Sequence, residues 1–174
     1  NDGPYGYSVQ SNGNQHLYRI NMGTGQTTDL GLLNFTDAEG MSFGPDGDLF
    51  AIGGSTAQLW NVSIAPGSLV GATGPRNGTD AGLDYFNGTM YNLNSSLSGS
   101  SLYTINTATG AATLVGTSTT YADSLAIDGL GNAYAANGLS GTNNLYGVNL
   151  STGALTLIGS LGTMILVILG VAAF

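Results

Sequence analysis

An all-β protein built from four repeated units of about 43 residues is what the sequence predicts, and three observations carry that prediction. Leu17-Tyr18, Leu59-Trp60, Leu102-Tyr103 and Leu145-Tyr146 recur at spacings of 42, 43 and 43 residues. Each pair is followed by a Thr-Gly or Pro-Gly turn, at Thr24-Gly25, Pro66-Gly67, Thr109-Gly110 and Thr152-Gly153. Glycine, 29 of the 174 residues, interrupts every window that could hold a helical period, while 42% apolar residues and nine tyrosines supply a packed core. Four short β-signals in each unit of this length is the pattern of a β-propeller blade.

The elements follow in order within each unit. In the third unit the β-signals are residues 124–127, 132–135, 144–149 and 154–158, separated by Gly, Asn, Asp and Pro punctuation. Gly47, Gly88 and Gly131 each lead three residues on to an aromatic residue, Phe50, Tyr91 or Tyr134. The whole chain, 1–174, forms one repeat domain with units at about 37–79, 80–122 and 123–163. The fourth unit is split, 164–174 plus 1–36, because Gly170 to Phe174 joined to Asn1 to Tyr7 matches Gly40 to Phe43 joined to Gly44 to Phe50.

This permutation gives the apolar tail a role. Met164, Ile165, Leu166, Val167, Ile168, Leu169, Val171 and Phe174 would supply the inner strand of a fourth blade, covered on both faces and hence continuously apolar. Its outer strands are expected at Tyr5–Val9, His16–Asn21 and Thr27–Leu32. Pairing of the terminal strands removes two sheet edges, either within one chain or by exchange with a neighbouring subunit, which would make a homo-oligomer or filament; continuation into a longer repeat array is the further alternative. The tail is about half the roughly 20 residues a membrane-spanning helix needs, so no membrane span is expected. The chain opens Asn-Asp-Gly-Pro without a basic leader region, as a mature product or a leaderless protein would.

Charge excludes several functions. Only 7% of residues are charged, there is no lysine, and Arg19 and Arg76 face ten acidic residues for a net charge of −8. Nucleic-acid partners need clustered cations that this chain lacks. No cysteine is present, which removes disulfides and thiolate chemistry, and His16 is the single histidine, too few for a His-based triad or zinc site. Glu39 is the lone glutamate, and no acid stands in a glycosidase-like pair motif. No catalytic constellation is found, and the chain is expected to be no enzyme.

The third unit resembles a known repeat type. Leu102-Tyr-Thr-Ile-Asn-Thr-Ala-Thr-Gly-Ala-Ala-Thr-Leu-Val-Gly116, followed by Asp123-Ser-Leu-Ala-Ile-Asp-Gly-Leu-Gly-Asn-Ala-Tyr134, is similar to the LYxIDxxTGxxTxVG and GLAxDPxGxLYA units of secreted bacterial and archaeal propeller-like surface proteins. Many of those are domains of unknown function. The resemblance covers nearly the whole chain and implies an extracytoplasmic propeller without an assigned reaction. The second unit departs from it, because Pro66-Gly67-Ser-Leu-Val-Gly71 is two residues shorter between its glycines.

Candidate sites are few. Asp37, Asp80 and Asp123 stand 43 residues apart, just before each inner strand. They either converge near the axis as oxygen ligands for Ca²⁺ or cap backbone N–H groups in their own turns; capping is favoured, because the fourth position falls near Leu166, where there is no acid. Apart from that calcium option no cofactor is expected. Asp46-Gly47-Asp48 reads as a tight turn. Six Asn-x-Ser/Thr sequons, at Asn34, Asn61, Asn77, Asn87, Asn94 and Asn149, are candidates for covalent glycans or simply turn residues. Tyr18, Trp60, Tyr103 and Tyr146 fit periodic packing better than a sugar-stacking surface. The expectation is a glycosylated extracellular or cell-surface structural protein, self-assembling through its terminal strands; the alternative is a secreted propeller module that binds a carbohydrate or cation.

Overall fold

The computed structural model describes residues 4–9, 15–53, 56–74, 78–138 and 143–162, the side chains of residues 79–81 excepted. The expected strand of residues 164–174, with Met164 to Phe174 and the terminal pairing it would make, lies outside the described residues.

The described chain is all β apart from one 3-10 turn, Pro45–Gly47. It folds as the expected β-propeller of four successive antiparallel sheets. The first holds β1 (Tyr5–Val9), β2 (His16–Asn21) and β3 (Thr27–Leu32), at the bounds the sequence predicts. The second is β4 (Ala38–Phe43), β5 (Leu49–Gly53), β6 (Gln58–Asn61) and β7 (Ser68–Ala72). The third is β8 (Thr79–Phe86), β9 (Thr89–Ser96), β10 (Gly99–Ile105) and β11 (Ala112–Ser118). The fourth is β12 (Ala126–Ile127), β13 (Ala133–Asn137), β14 (Asn143–Val148) and β15 (Leu155–Gly162). Each is a meander whose strands pair in chain order.

The turns explain the repeat. In three units an Asn side chain accepts two backbone N–H bonds: Asn21 from Gly23 and Thr24, Asn106 from Ala108 and Thr109, Asn149 from Ser151 and Thr152, at 2.9 to 3.1 Å. The residue that follows in each is a glycine at φ 71 to 77°, in the left-handed region that favours glycine. The second unit replaces this turn with a cis Ala65-Pro66 bond and Gly67 at φ 86°, matching its shorter spacing. Asn87 and Gly88, both at positive φ, make the two-residue β8–β9 hairpin.

Every Leu-Tyr or Leu-Trp pair coincides with a register shift. Leu17 pairs Gly31 while Tyr18 pairs Asp29, and the skipped residue is Leu30. Val70, Val115 and Ile158 are skipped likewise in β7, β11 and β15. These bulges bend the outer strand and turn an apolar residue followed by glycine toward the next blade.

Packing lies between blades. Leu17 of the first sheet packs with Leu49, Trp60 and Val62 of the second; Ile52 and Leu59 of the second pack with Met90 and Ile105 of the third; Leu93 and Leu102 pack with Ala135, Tyr146 and Val148 of the fourth. Alternation along each strand therefore serves two interfaces, one per face. The inner strands approach closely through glycine: a Cβ at Gly40 would lie 3.0 Å from the Leu83 amide nitrogen, and one at Gly82 2.6 Å from Leu125 Cβ.

One predicted strand is shorter than expected. Of residues 124–127 only Ala126–Ile127 pair as β12. The Ala136 N–H donates to Ser124 Oγ at 2.9 Å instead of to a backbone carbonyl, which interrupts the ladder, while the Ala136 carbonyl still accepts the Asp123 N–H at 2.9 Å. β15 runs on to Gly162, beyond the expected residue 158.

Candidate functional site

Asp37, Asp80 and Asp123 lie in or just before the innermost strands of the last three blades, β4, β8 and β12. Among the described residues no group of three or more His, Cys, Asp or Glu is placed to hold a metal. Asp37 sits at positive φ, 76°. Asp80 is in β8, with its side chain outside the described set. Asp123 accepts the Tyr121 hydroxyl at 3.2 Å through Oδ2, while its Oδ1 is buried without a partner. Burial pushes the Tyr121 phenol up from its ordinary range, and the Asp123 charge beside it adds to that.

A different carboxylate ties the inner strands together. Asp84 on β8 accepts the Ile127 N–H at 2.6 Å and the Ser42 hydroxyl at 3.2 Å, so one side chain bridges the second, third and fourth blades. The sequence offered no signal for it, because Ser42 and Ile127 occupy the matching places in the neighbouring units.

The sequons fall in different environments. Asn34, Asn87 and Asn149 are exposed and Asn61 is partly buried. Asn77 lies outside the described residues. Asn94 is 1% exposed on β9, and a glycan there would have to displace the packing around it. Asn149 already uses its side-chain oxygen in the β14–β15 turn. His16 is at the surface, its Nδ1 2.9 Å from Asp29 across the β2–β3 ladder. That contact, and the Gly31 N–H, hold the Asp29 carboxyl below its usual range. Trp60 is buried and stacks on Phe35 at 4.6 Å, and Tyr146 is buried in the last interface. Tyr18 instead stacks on His16 at 6.2 Å.

The feature that stands apart is the pair of end faces. Leu17, Leu59 and Leu102 each point toward the following blade and are fully buried. Leu145, at the same repeat position in the fourth blade, is only partly buried. The skipped bulge residues tell the same story: Leu30, Val70 and Val115 pack into the three clusters, whereas Ile158 is 56% exposed. On the opposite end, Val62, Ile105 and Val148 are buried against the preceding blade, while Ile20 of the first blade is partly open. Among the described residues the hydrophobic clusters join first to second, second to third and third to fourth sheet, and none joins fourth to first.

The outer rim repeats the pattern in glycines. A Cβ at Gly31 would meet Ala65 of the next blade at 3.2 Å. One at Gly71 would collide with the Thr109 carbonyl, and one at Gly116 with that of Thr152. Reciprocally, Cβ atoms at Gly110 and Gly153 would fall 2.6 and 2.7 Å from the carbonyl oxygens of Gly71 and Gly116. Gly159 and Gly25, the fourth such pair by repeat position, have nothing within 4 Å. Sequence reasoning singled out the Thr-Gly turns as punctuation and missed this contact; the signal was the matching spacing of the Leu-Gly, Val-Gly and Ile-Gly pairs.

Comparison with known proteins shows the fold. No family model and no curated protein matches the chain. Solved structures do: a protein of unknown function from Bacteroides thetaiotaomicron, 17% identical with a TM-score of 0.69, is matched over 91% of this chain and 46% of its own. The calcium-binding protein regucalcin from Agrobacterium tumefaciens is 12% identical with a TM-score of 0.54, over 74% and 46%. A luciferin-regenerating enzyme is 15% identical with a TM-score of 0.53, over 71% and 44%. The fold thus carries catalysis in at least one other chain. The present chain spans less than half the length of each of these three structures; at these identities the likeness is one of fold, that of the β-propeller.

Proposed function

We propose that this protein is a non-enzymatic extracellular structural protein, a glycosylated cell-surface or filament subunit that associates with copies of itself. The observation that carries the reading is the exposure of the two end faces. Every blade uses one face for the blade before it and one for the blade after, and the first and last blades each have such a face partly open to water. On the last strand, β15, Ile158 is 56% exposed, whereas Leu30, Val70 and Val115 at the same repeat position pack against the next blade. Apolar surface of this kind favours association. The last two strands carry no charged side chain, so no ionised group there has to be stripped of water, and the exposed Asn34, Asn87 and Asn149 are the positions best suited to carry N-glycans.

Two measurements test this. Light scattering and electron microscopy of the native material should show species larger than the 17.5 kDa chain; discrete monomers at high concentration would end the assembly reading. Intact mass should exceed 17.5 kDa by the mass of attached sugars, and an unmodified mass would remove the glycans.

A further inference from the structure

We infer that the open face of the fourth blade docks on the open face of the first blade of a second copy, repeating between chains the contact that joins successive blades within one. This rests on the self-association reading and names the surface that performs it.

The argument is one of continuity. Each interior junction has two parts: an apolar layer that buries a third-strand leucine, and at the outer rim a bulge residue plus glycine set against the turn glycine region of the next blade. The fourth blade carries the first half of the junction complete, with Leu145 in the third strand and Ile158-Gly159 at the bulge. The first blade carries the second half, with Ile20 on its face and Thr24-Gly25 at the rim, its Asn21 side chain holding that turn as Asn106 and Asn149 hold theirs. Gly110 and Gly153 are buried by their neighbours, while Gly25 is exposed. The two halves are built from the same elements that meet inside the chain, and they differ from each other, so the contact is head to tail.

The chain has no cysteine, so crosslinks can be placed at will. Thr24→Cys with Ser160→Cys marks the proposed contact; Thr117→Cys with Thr152→Cys marks the same repeat positions at the interior junction of the third and fourth blades. A flexible bismaleimide should close the interior pair within each chain. It should join the test pair between chains, as a dimer band or a ladder on denaturing gels. Gly159→Leu should weaken association at least 10-fold while leaving the melting temperature of the monomer unchanged, since its Cβ meets nothing within 4 Å. Crosslinking of the test pair within one chain would overturn the inference, as would a Gly159→Leu variant that associates like the parent. Assemblies that form without the crosslink would also overturn it and leave self-association standing. A parent chain that stays monomeric would remove both.

Discussion

Gly116 and Gly159 occupy the same place in consecutive blades, each following a bulge residue on an outer strand, yet one is wedged against its neighbour's Thr152-Gly153 turn and the other faces open space. The same contrast holds at Leu102 and Leu145 and at Val115 and Ile158. Identical local sequence thus has different energetic weight depending on whether another blade stands beside it. Interior junctions stabilise the chain; the end faces hold the same chemistry unused.

The strongest way to break this comparison is to truncate its leucines. Leu102→Ala should cost about 2–5 kcal/mol of folding stability in denaturant titrations, because a fully buried side chain leaves a cavity. Leu145→Ala should cost about 1 kcal/mol in the isolated chain. Equal losses would mean that the fourth blade's face is packed after all.

Asp84→Ala comes next. It removes the acceptor for the Ile127 N–H and the Ser42 hydroxyl, and should cost about 1–3 kcal/mol, with amide exchange rising first at Ile127. A change confined to the third blade would show that the bridging contacts carry no stability.

Alanine at the rim glycines sharpens the contrast without backbone strain, since neither Gly116 nor Gly159 is at positive φ. Gly116→Ala should destabilise by about 1–3 kcal/mol through overlap with the Thr152 carbonyl. Gly159→Ala should be neutral or stabilising by up to about 1 kcal/mol, because it only restricts the unfolded chain. Thermal melts of the two variants, compared with the parent, decide it.

The smallest effect is that of pH. Asp29 in the first blade and Asp128 in the fourth are both held below the usual carboxylate range, by His16 with the Gly31 N–H and by Asn132 with neighbouring backbone N–H groups. The native state then binds fewer protons than the unfolded chain, so their contribution is present above the ordinary Asp range and is lost as pH falls through the depressed values. Acid should loosen the two end blades, and Asp29→Asn with Asp128→Asn should flatten the acid limb of a melting-temperature profile. Tyr121, in the junction of the third and fourth blades, has the opposite sign: its raised value means that stability is lost as pH climbs above the ordinary phenol range. Against these, an acid limb unchanged by the Asn variants would assign acid sensitivity to other groups.

Much of the architecture was legible because it is local. Three strands of the first blade fall where their punctuation places them, and Thr24-Gly25, Thr109-Gly110 and Thr152-Gly153 are turns for the reason their residues suggest, an Asn side chain closing each turn and a glycine at positive φ. The site residues were less legible. Asn94 and Asn149 read alike as sequons, but one is inside β9 and the other on a surface turn. Asp84 carried no motif, since its partners are 42 and 43 residues away on other blades. The short β12 escaped because a serine hydroxyl, not the strand pattern, took the Ala136 N–H.

By itself, then, the sequence determined the number of units, their turns and the alternation that makes each strand two-faced, since these depend on residues a few positions apart. The tertiary structure decided which faces are covered. Burial is a property of what stands beside a residue, and four equal repeats in one chain make junctions between successive blades while Gly25 and Gly159 keep open space around them.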